Sequence, residues 1–223
     1  MSAPTNDKLS IIVTYYDPDG VVRPKLEQLL THLRDNQLSY PETEIILISD
    51  GTDAEWVYGF RDEIGLSVFI IESDTNNGVA WARNKGLDFA TGEYIAFCDA
   101  DDDVEPYYAH TIYQIMRQGY DYALFPFVAV SEGSVSFIRE EMIGNYAVWA
   151  WCFNRRIIGD ERFDENLNVA EDVDFLRRVI FPELNGYRSD TPIYRYDWGA
   201  NPNSLSKRFN RGDLPHKKSD TKK

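Results

Sequence analysis

The sequence contains little cysteine, no long apolar run and no leader-like start. Its 223 residues include two cysteines, Cys98 and Cys152, and neither belongs to a C-x-x-C pair, which argues against a zinc site or a thioredoxin-type redox motif. The three histidines are scattered. No apolar run approaches the roughly 20 residues that a membrane span needs, and the first ten residues lack the apolar core of a secretory signal. We therefore expect a cytoplasmic protein with two buried free thiols.

Three common catalytic motifs are also missing. The sequence has no G-x-x-x-x-G-K-[ST] loop, no G-x-G-x-x-G after its first apolar run, and no G-x-S-x-G elbow. These absences exclude P-loop kinases, classical dehydrogenases and α/β-hydrolases.

Positive charge is scarce and unevenly placed. Lys and Arg number 23 against 37 Asp and Glu, so the formal net charge is −14, which weighs against nucleic acid or an anionic membrane as partner of the body. From Ser204 onward, however, seven basic residues face two acidic ones. We interpret 207–223 as a basic, flexible tail. A contact of this tail with a phosphate-bearing partner, such as a peripheral membrane surface, is the alternative.

Apolar runs and amphipathic segments alternate along the first half of the chain. This alternation predicts an α/β fold, with a mostly parallel central sheet flanked by helices. After a soft boundary near 128–133 the pattern becomes less regular. The predicted strands are 9–16, 44–49, 66–71, 93–98, 122–128, 134–140 and 147–154, the predicted helices are 22–36, 53–64, 78–90, 106–118 and 171–181, and 187–198 is predicted to be extended.

Acidic residues follow three of the predicted strands, at Asp17, Asp50 and Asp99. In parallel sheets this edge binds ligands. The densest group is 99–103, where four of five residues are Asp, and a divalent cation such as Mg²⁺ or Mn²⁺ would relieve their mutual repulsion. The competing explanation is a helix cap at 106–118, made by Asp102 or Asp103. A cap does not need four carboxylates, so we favour a site for a metal and a diphosphate.

A second acidic pair, Glu171 and Asp172, opens the predicted helix 171–181, and Asp174 lies two residues further on. Complementarity with the helix dipole explains such a pair simply. A catalytic role is the alternative, since a metal–diphosphate site needs a general base opposite it.

Five segments of the sequence form a recognisable set: SIIVTYYDP (10–18), EIILISDGT (44–52), NNGVAWARNKGLDFATGEYIAFCDADDD (76–103), RFDENLNVAEDVDF (162–175) and YRYDWGANPNSLS (194–206). Together they resemble family 2 glycosyltransferases with a GT-A fold. The departures from the family pattern are Thr14, Tyr16-Asp17, Ser49 and Ala170, the last standing where Gly often precedes the Glu-Asp pair. The resemblance implies a nucleotide-sugar-binding half over 1–130 and, in the same domain, an acceptor-side half with the base over 131–206.

The resemblance also implies a role for each matching residue. Asp101 is expected to bind the Mn²⁺ or Mg²⁺ cofactor, and Asp172 to act as catalytic base with Glu171 beside it. Among the nearby aromatics, Trp198 and Trp151 are candidates for the acceptor side, although a place in the core is the competing explanation for Trp149 and Trp151. The residues expected to line the nucleotide pocket are Thr14, Tyr16, Asp50, Arg83 and Asp99.

These features predict an inverting, metal-dependent glycosyltransferase. Its donor would be a nucleotide-sugar, with a UDP-sugar favoured, and its acceptor a hydroxyl on a surface glycan, a lipid-linked sugar or a modified DNA base. A sugar nucleotidyltransferase is one alternative, and a module that binds nucleotide or glycan without turnover is another. Release of UDP or GDP rather than pyrophosphate would distinguish these functions.

Overall fold

The computed structural model describes residues 7–131, 134–138, 147–199, 201, 204–213 and 215. Strands and helices alternate through the first half as the apolar pattern predicts, with boundaries shifted by a few residues. The short strand β5 is an addition that the sequence pattern does not indicate. The elements are β1 (Leu9–Tyr15), α1 (Arg23–Ser39), β2 (Thr43–Asp50), α2 (Glu55–Ile64), β3 (Val68–Ser73), α3 (Val79–Phe89), β4 (Tyr94–Asp99), β5 (Asp103–Val104) and α4 (Tyr108–Met116).

The second half is made of shorter elements. A 3-10 helix over Val148–Ala150 precedes β9, and α7 includes residues 207–210 of the basic tail. The elements are β6 (Tyr122–Leu124), β7 (Phe127–Ser131), β8 (Ser134–Ile138), β9 (Trp151–Asn154), α5 (Arg155–Ile158), α6 (Glu171–Val179), β10 (Gly186–Arg188), β11 (Tyr194–Asp197) and α7 (Leu205–Asn210).

Three predicted extended segments are interrupted, so those predictions are wrong in part. The run 122–128 divides into β6 and β7 around Pro126, which has no N–H to donate to a strand ladder. The run 147–154 begins with a 3-10 turn closed by the Ala150 N–H on the Ala147 carbonyl. The segment 187–198 divides into β10 and β11, because the Ser189 hydroxyl and Thr191 bond each other in an intervening turn.

The strands form two sheets. The larger has the order β10-β6-β9-β4-β1-β2-β3 and is parallel except for β9, which runs antiparallel to β4 and β6. The smaller has the order β5-β11-β7-β8. Strands from both sides of residue 130 take part in each sheet. The predicted α/β class with a mostly parallel central sheet is confirmed.

The core lies on both faces of the larger sheet. Leu26, Leu29, Leu30 and Leu33, the predicted apolar face of α1, are completely buried, each adding about 1.5–3 kcal/mol of burial free energy. On α3, a side chain at Gly86 would stand 2.2 Å from Ile12 of β1, so glycine allows this helix to pack directly on the strand. Cys98 and Cys152 are buried free thiols, as predicted. No helix in the described ranges is long and apolar enough to cross a membrane.

Candidate active site

The carboxyl ends of β1, β2 and β4 form one rim of the larger sheet. Thr14 at the end of β1 is in register with Asp99 at the end of β4, and its hydroxyl donates to the Asp99 carboxylate at 3.0 Å. Asp50 ends the neighbouring strand β2. The parallel register therefore brings these three predicted pocket residues to the same edge of the sheet.

Arg83 joins this rim to the acidic pair of α6. Its Nη2 donates to Asp99 at 3.1 Å, and its Nη1 donates to Glu171 at 2.8 Å and to Asp172. The second oxygen of Asp172 accepts the backbone N–H of Val148 at 3.0 Å. We call Arg83 and its three carboxylates the Arg83 cluster. It unites residues that lie 89 positions apart in the chain.

Packing between α3 and the segment before α6 brings the cluster together. Asn84, next to Arg83, exchanges two hydrogen bonds with the Phe163 backbone, and its amide also donates to Glu165. The Phe163 ring stacks on Phe175 of α6 with 4.0 Å between centroids. The helix with the predicted base is thereby held against the helix that carries Arg83.

Charge within the cluster is unbalanced, because three carboxylates share one guanidinium. Burial raises the pKa of Asp172 above its ordinary value; Arg83 opposes this shift and Glu171 adds to it. Burial alone would lower the pKa of Arg83, but the surrounding carboxylates more than offset it and raise that pKa. The Arg83 side chain is only 3% exposed, so water does little to screen these interactions.

Asp101 lies beside the cluster and is poorly neutralised. Burial, followed by repulsion from Asp99, raises its pKa to about 6, and a hydrogen bond from the Asn201 side chain only partly counteracts this. Two neighbouring, half-buried carboxylates of this kind suit a hard cation that prefers oxygen ligands. Within the described ranges, however, no group of three or more His, Cys, Asp or Glu side chains is arranged to hold a metal ion.

Asp102 and Asp103 are used to hold the loop in place. Asp102 accepts hydrogen bonds from the Tyr194 hydroxyl and from the Asp197 N–H, each at 2.8 Å, and both residues belong to β11. Asp103 accepts a hydrogen bond from the Gln28 side-chain amide at 2.6 Å, and its other oxygen lies 2.7 Å from His32 Nδ1; both partners are on α1. These contacts explain two of the four carboxylates without a metal.

Neither carboxylate caps the helix that follows. Helix α4 begins at Tyr108, and the side chain of its N-cap residue, Tyr107, makes no capping hydrogen bond. The capping explanation for Asp102 or Asp103 is therefore wrong, because both side chains are already directed to other elements.

Asp50 and Asp17 organise the loops around the rim. Asp50 is buried and accepts the N–H groups of Asn77, at 2.8 Å, and Gly78, at 2.7 Å. Asp17 accepts three N–H groups over 21–23 and so caps the start of α1. Next to Asp50, Gly51 has φ +74°, and a side chain there would stand 2.3 Å from the backbone of Asn76. The expected place of Asp50 in a nucleotide pocket stays a prediction.

A cavity of about 190 Å³ lies between the loop after β1 and the C-terminal part of the described chain. Tyr16, 40% exposed, and Asp17 line one side of it, while Asn201 and Arg208 line the other. The predicted pocket residue Tyr16 thus faces open space, whereas Thr14 and Asp99 lie deeper.

The three tryptophans have different environments. Trp149 is buried and stacks between Tyr194 and Tyr196, with 4.5 and 5.2 Å between ring centroids. Trp151 is also buried and stacks on Phe153. Both fit the core explanation, so the acceptor-side interpretation of Trp151 loses its support. Trp198 is 60% exposed beyond the end of β11 and stays a candidate for the acceptor side.

Several contributors to this site are not evident from the sequence. Val148 acts through its backbone N–H, which leaves no signature in the residue type. The Tyr194 hydroxyl accepts a hydrogen bond from the Asp99 N–H and donates one to Asp102. In the sequence, Tyr194 lies in the YRYD segment and has the pattern of an ordinary strand residue. Asp174, the third acidic residue at the start of α6, pairs with Arg178 and does not belong to the Arg83 cluster.

Comparison with known proteins identifies the class to which this arrangement belongs. The model for glycosyl transferase family 2 matches residues 10–184. The chain belongs to this family, as its motifs predict.

Relatives and solved structures agree with this membership. Glycosyltransferase GlyA of Streptococcus pneumoniae serotype 4 (strain ATCC BAA-334 / TIGR4) is 30% identical over 59% of this chain and 18% of GlyA. The uncharacterized glycosyltransferase EpsJ of Bacillus subtilis (strain 168) is 26% identical over 94% of this chain and 64% of EpsJ. The structure of S. aureus TarS 1–349 with UDP-GlcNAc has a TM-score of 0.75 at 19% identity, covering 89% of this chain and 60% of that chain. That likeness shows the GT-A fold, and the chain spans less than two thirds of each of these proteins.

Proposed function

We propose that this domain transfers a sugar from a nucleoside-diphosphate donor to an acceptor hydroxyl, with inversion at the anomeric carbon. The observation that carries the proposal is the Arg83 cluster, which joins a donor-side carboxylate, Asp99, to an acceptor-side pair, Glu171 and Asp172. A UDP-sugar is our first choice of donor, because solved TarS structures of the same fold contain UDP and UDP-GlcNAc.

Asp99 and Asp101 are the residues that fit a divalent cation at the donor. Burial of the Asp101 carboxyl and, second, repulsion from Asp99 raise the pKa of Asp101 to about 6, so a cation would relieve a repulsion that the described protein atoms leave in place. Mn²⁺ or Mg²⁺ bound there would stabilise the charge that develops on the leaving diphosphate. An anionic donor entering this acidic site needs such compensation.

Asp172 is the proposed general base. Its raised pKa brings its proton affinity closer to the value that suits a base at neutral pH. The acceptor oxygen bonds the anomeric carbon while the bond from that carbon to the diphosphate oxygen breaks. The electron pair leaves with the nucleoside diphosphate, and the acceptor proton passes to Asp172. One displacement of this kind inverts the anomeric centre.

The acceptor is proposed to enter on the side of α6 and β11. The exposed Trp198 ring lies beyond β11 and is suited to stack on the apolar face of a sugar. A glycan or a lipid-linked sugar agrees better with the acidic body than a modified DNA base does. Two buried free thiols support a reducing, cytoplasmic setting.

The test is to incubate the protein with Mn²⁺ and a panel of UDP- and GDP-sugars, and to measure nucleoside diphosphate and pyrophosphate separately. Release of UDP or GDP that depends on the cation supports transfer, with water or an added glycan as acceptor. Release of pyrophosphate would indicate a nucleotidyltransferase instead. Saturable binding without either product would indicate a binding module and contradict the proposal.

A further inference from the structure

Both oxygens of Asp172 are engaged within the protein. One accepts Arg83, and the other accepts the Val148 N–H at 3.0 Å. Each oxygen keeps a second lone pair, but the ion pair with Arg83 lowers the proton affinity of the carboxylate and holds it toward Arg83. A general base must reach the proton that it removes and be basic enough to take it. The arrangement is therefore one in which the proposed base is weakened by Arg83.

Arg83 has both the contacts and the charge to release this base. Its Nη2 already reaches the donor-side Asp99 at 3.1 Å, while Nη1 is divided between Glu171 and Asp172. Its Nε is buried and has no hydrogen-bond partner among the described residues, which is unusual for a buried donor. A phosphate oxygen would supply that partner, since guanidinium groups bind phosphates in bidentate geometry.

We propose that Arg83 changes partners when the donor binds: it leaves Asp172 for the diphosphate, and this frees the base for the acceptor. The inference rests on the proposed function and adds the contact that donor binding breaks, between Arg83 and Asp172. The donor and Asp172 therefore compete for Arg83, and the ion pair of Arg83 and Asp172 must break before the diphosphate can bind Arg83.

The competition predicts a gain in donor affinity when the hold on Arg83 is weakened. Asp172→Asn replaces a charged partner by a neutral one, and UDP with Mn²⁺ is expected to bind about tenfold more tightly. Removing a negative charge near an anion would also strengthen binding by itself. Asp174→Asn is the matched control for that effect, since it removes the same charge from the same helix at a residue that pairs with Arg178.

A second control separates the exchange from local electrostatics. Arg83→Lys keeps the positive charge but loses the planar fork that bonds several oxygens at once. In this background the gain from Asp172→Asn is expected to disappear. Glu171→Asp keeps the cluster charge and shortens one of the side chains that hold Arg83, and it is expected to tighten UDP binding severalfold in the otherwise unchanged protein.

The experiment is calorimetric titration of UDP with Mn²⁺ into the full chain and these variants. Unchanged affinity in Asp172→Asn, or a gain that persists in the Arg83→Lys background, would overturn the exchange while leaving the proposed function intact. If Arg83→Lys does not fold, Glu171→Asp decides: tighter binding supports the exchange, and unchanged binding contradicts it. Absence of UDP binding by the unmodified protein would overturn the proposed function and the exchange with it.

Discussion

Two pairs of carboxylates at the end of β4 and in the loop after it differ in the groups that they contact. Asp102 and Asp103 each accept several hydrogen bonds from β11 or α1. Asp99 shares Arg83 with two other acids, and Asp101 depends on an amide from Asn201. The four acidic residues among positions 99–103 therefore differ in their contacts. Asp102 and Asp103 hold the loop through their hydrogen bonds to β11 and α1, although burial and repulsion from Asp101 also raise the pKa of Asp102. The carboxylates of Asp99 and Asp101 are the pair proposed to contact a ligand, and Asp99 contacts β11 through its backbone N–H.

The largest expected effect is at the proposed base, Asp172, which contacts Arg83 on the side away from Asp99. Asp172→Asn is expected to lower kcat by about 10²–10⁴-fold, since the amide cannot accept the acceptor proton. Thermal stability should stay the same or rise, because one of three acids around Arg83 loses its charge. Steady-state UDP release and a thermal melt of the same preparation check both statements. Near-normal kcat would show that Asp172 is not the base.

At Asp102, by contrast, a substitution should affect stability. Asp102→Ala is expected to destabilise the protein by about 3 kcal/mol, because the buried Tyr194 hydroxyl and the Asp197 N–H lose their acceptor. Tyr194→Phe removes only the hydroxyl and should cost about 1–2 kcal/mol. Urea unfolding measures both changes. Equal stability of Asp102→Ala and the unmodified protein would mean that Asp102 does not hold the loop.

The pH dependence of stability sharpens the contrast. The pKa of Asp101 is raised from 3.8 to about 6, so between these values the folded protein binds more protons than the unfolded chain does. The contribution of Asp101 to the free energy of unfolding therefore decreases as the pH rises from about 4 to about 6, and then levels off. In chelator, Asp101→Asn should gain stability relative to the unmodified protein across this range. A difference that stays constant with pH would contradict the assignment.

The smallest expected effect concerns the start of α6. Ala170 has φ +65°, in the left-handed region that costs a residue with a side chain about 1–2 kcal/mol. Ala170→Gly removes this strain but makes the unfolded chain more flexible, so a net gain of no more than about 1 kcal/mol is expected. Ala109→Gly in the right-handed helix α4 is the matched control and should destabilise by about 1 kcal/mol. A loss of stability in Ala170→Gly would contradict this account of the turn.

Much of the fold follows from local patterns. Apolar runs and helical spacing locate the strands and helices through α4, apart from the short β5, because each of these segments buries one face or both faces against the same core. The breaks in the second half are less predictable, since they depend on tertiary partners. Pro126 marks one break in the sequence, but the 3-10 turn before β9 has no comparable marker.

The residue types at the site are predictable from the sequence, whereas their partners are not. Strand ends identify Asp50 and Asp99, and the family motifs identify Arg83 and Asp172. Spacing cannot show that one guanidinium joins residues 99, 171 and 172, or that Asp102 is committed to Tyr194. Likewise, aromatic residues near the base segment suggest a sugar platform at Trp151, but burial depends on packing across β9.

The most direct test of the account is calorimetric titration of UDP-GlcNAc into the unmodified protein and Asp101→Asn, with Mn²⁺ and with chelator. The proposed cation site at Asp99 and Asp101 predicts saturable binding that requires Mn²⁺ and is lost in Asp101→Asn, although that variant keeps its fold and is no less stable than the unmodified protein. Binding of equal strength in chelator, or in Asp101→Asn with Mn²⁺, would contradict the claim that these two carboxylates hold the cation at the donor.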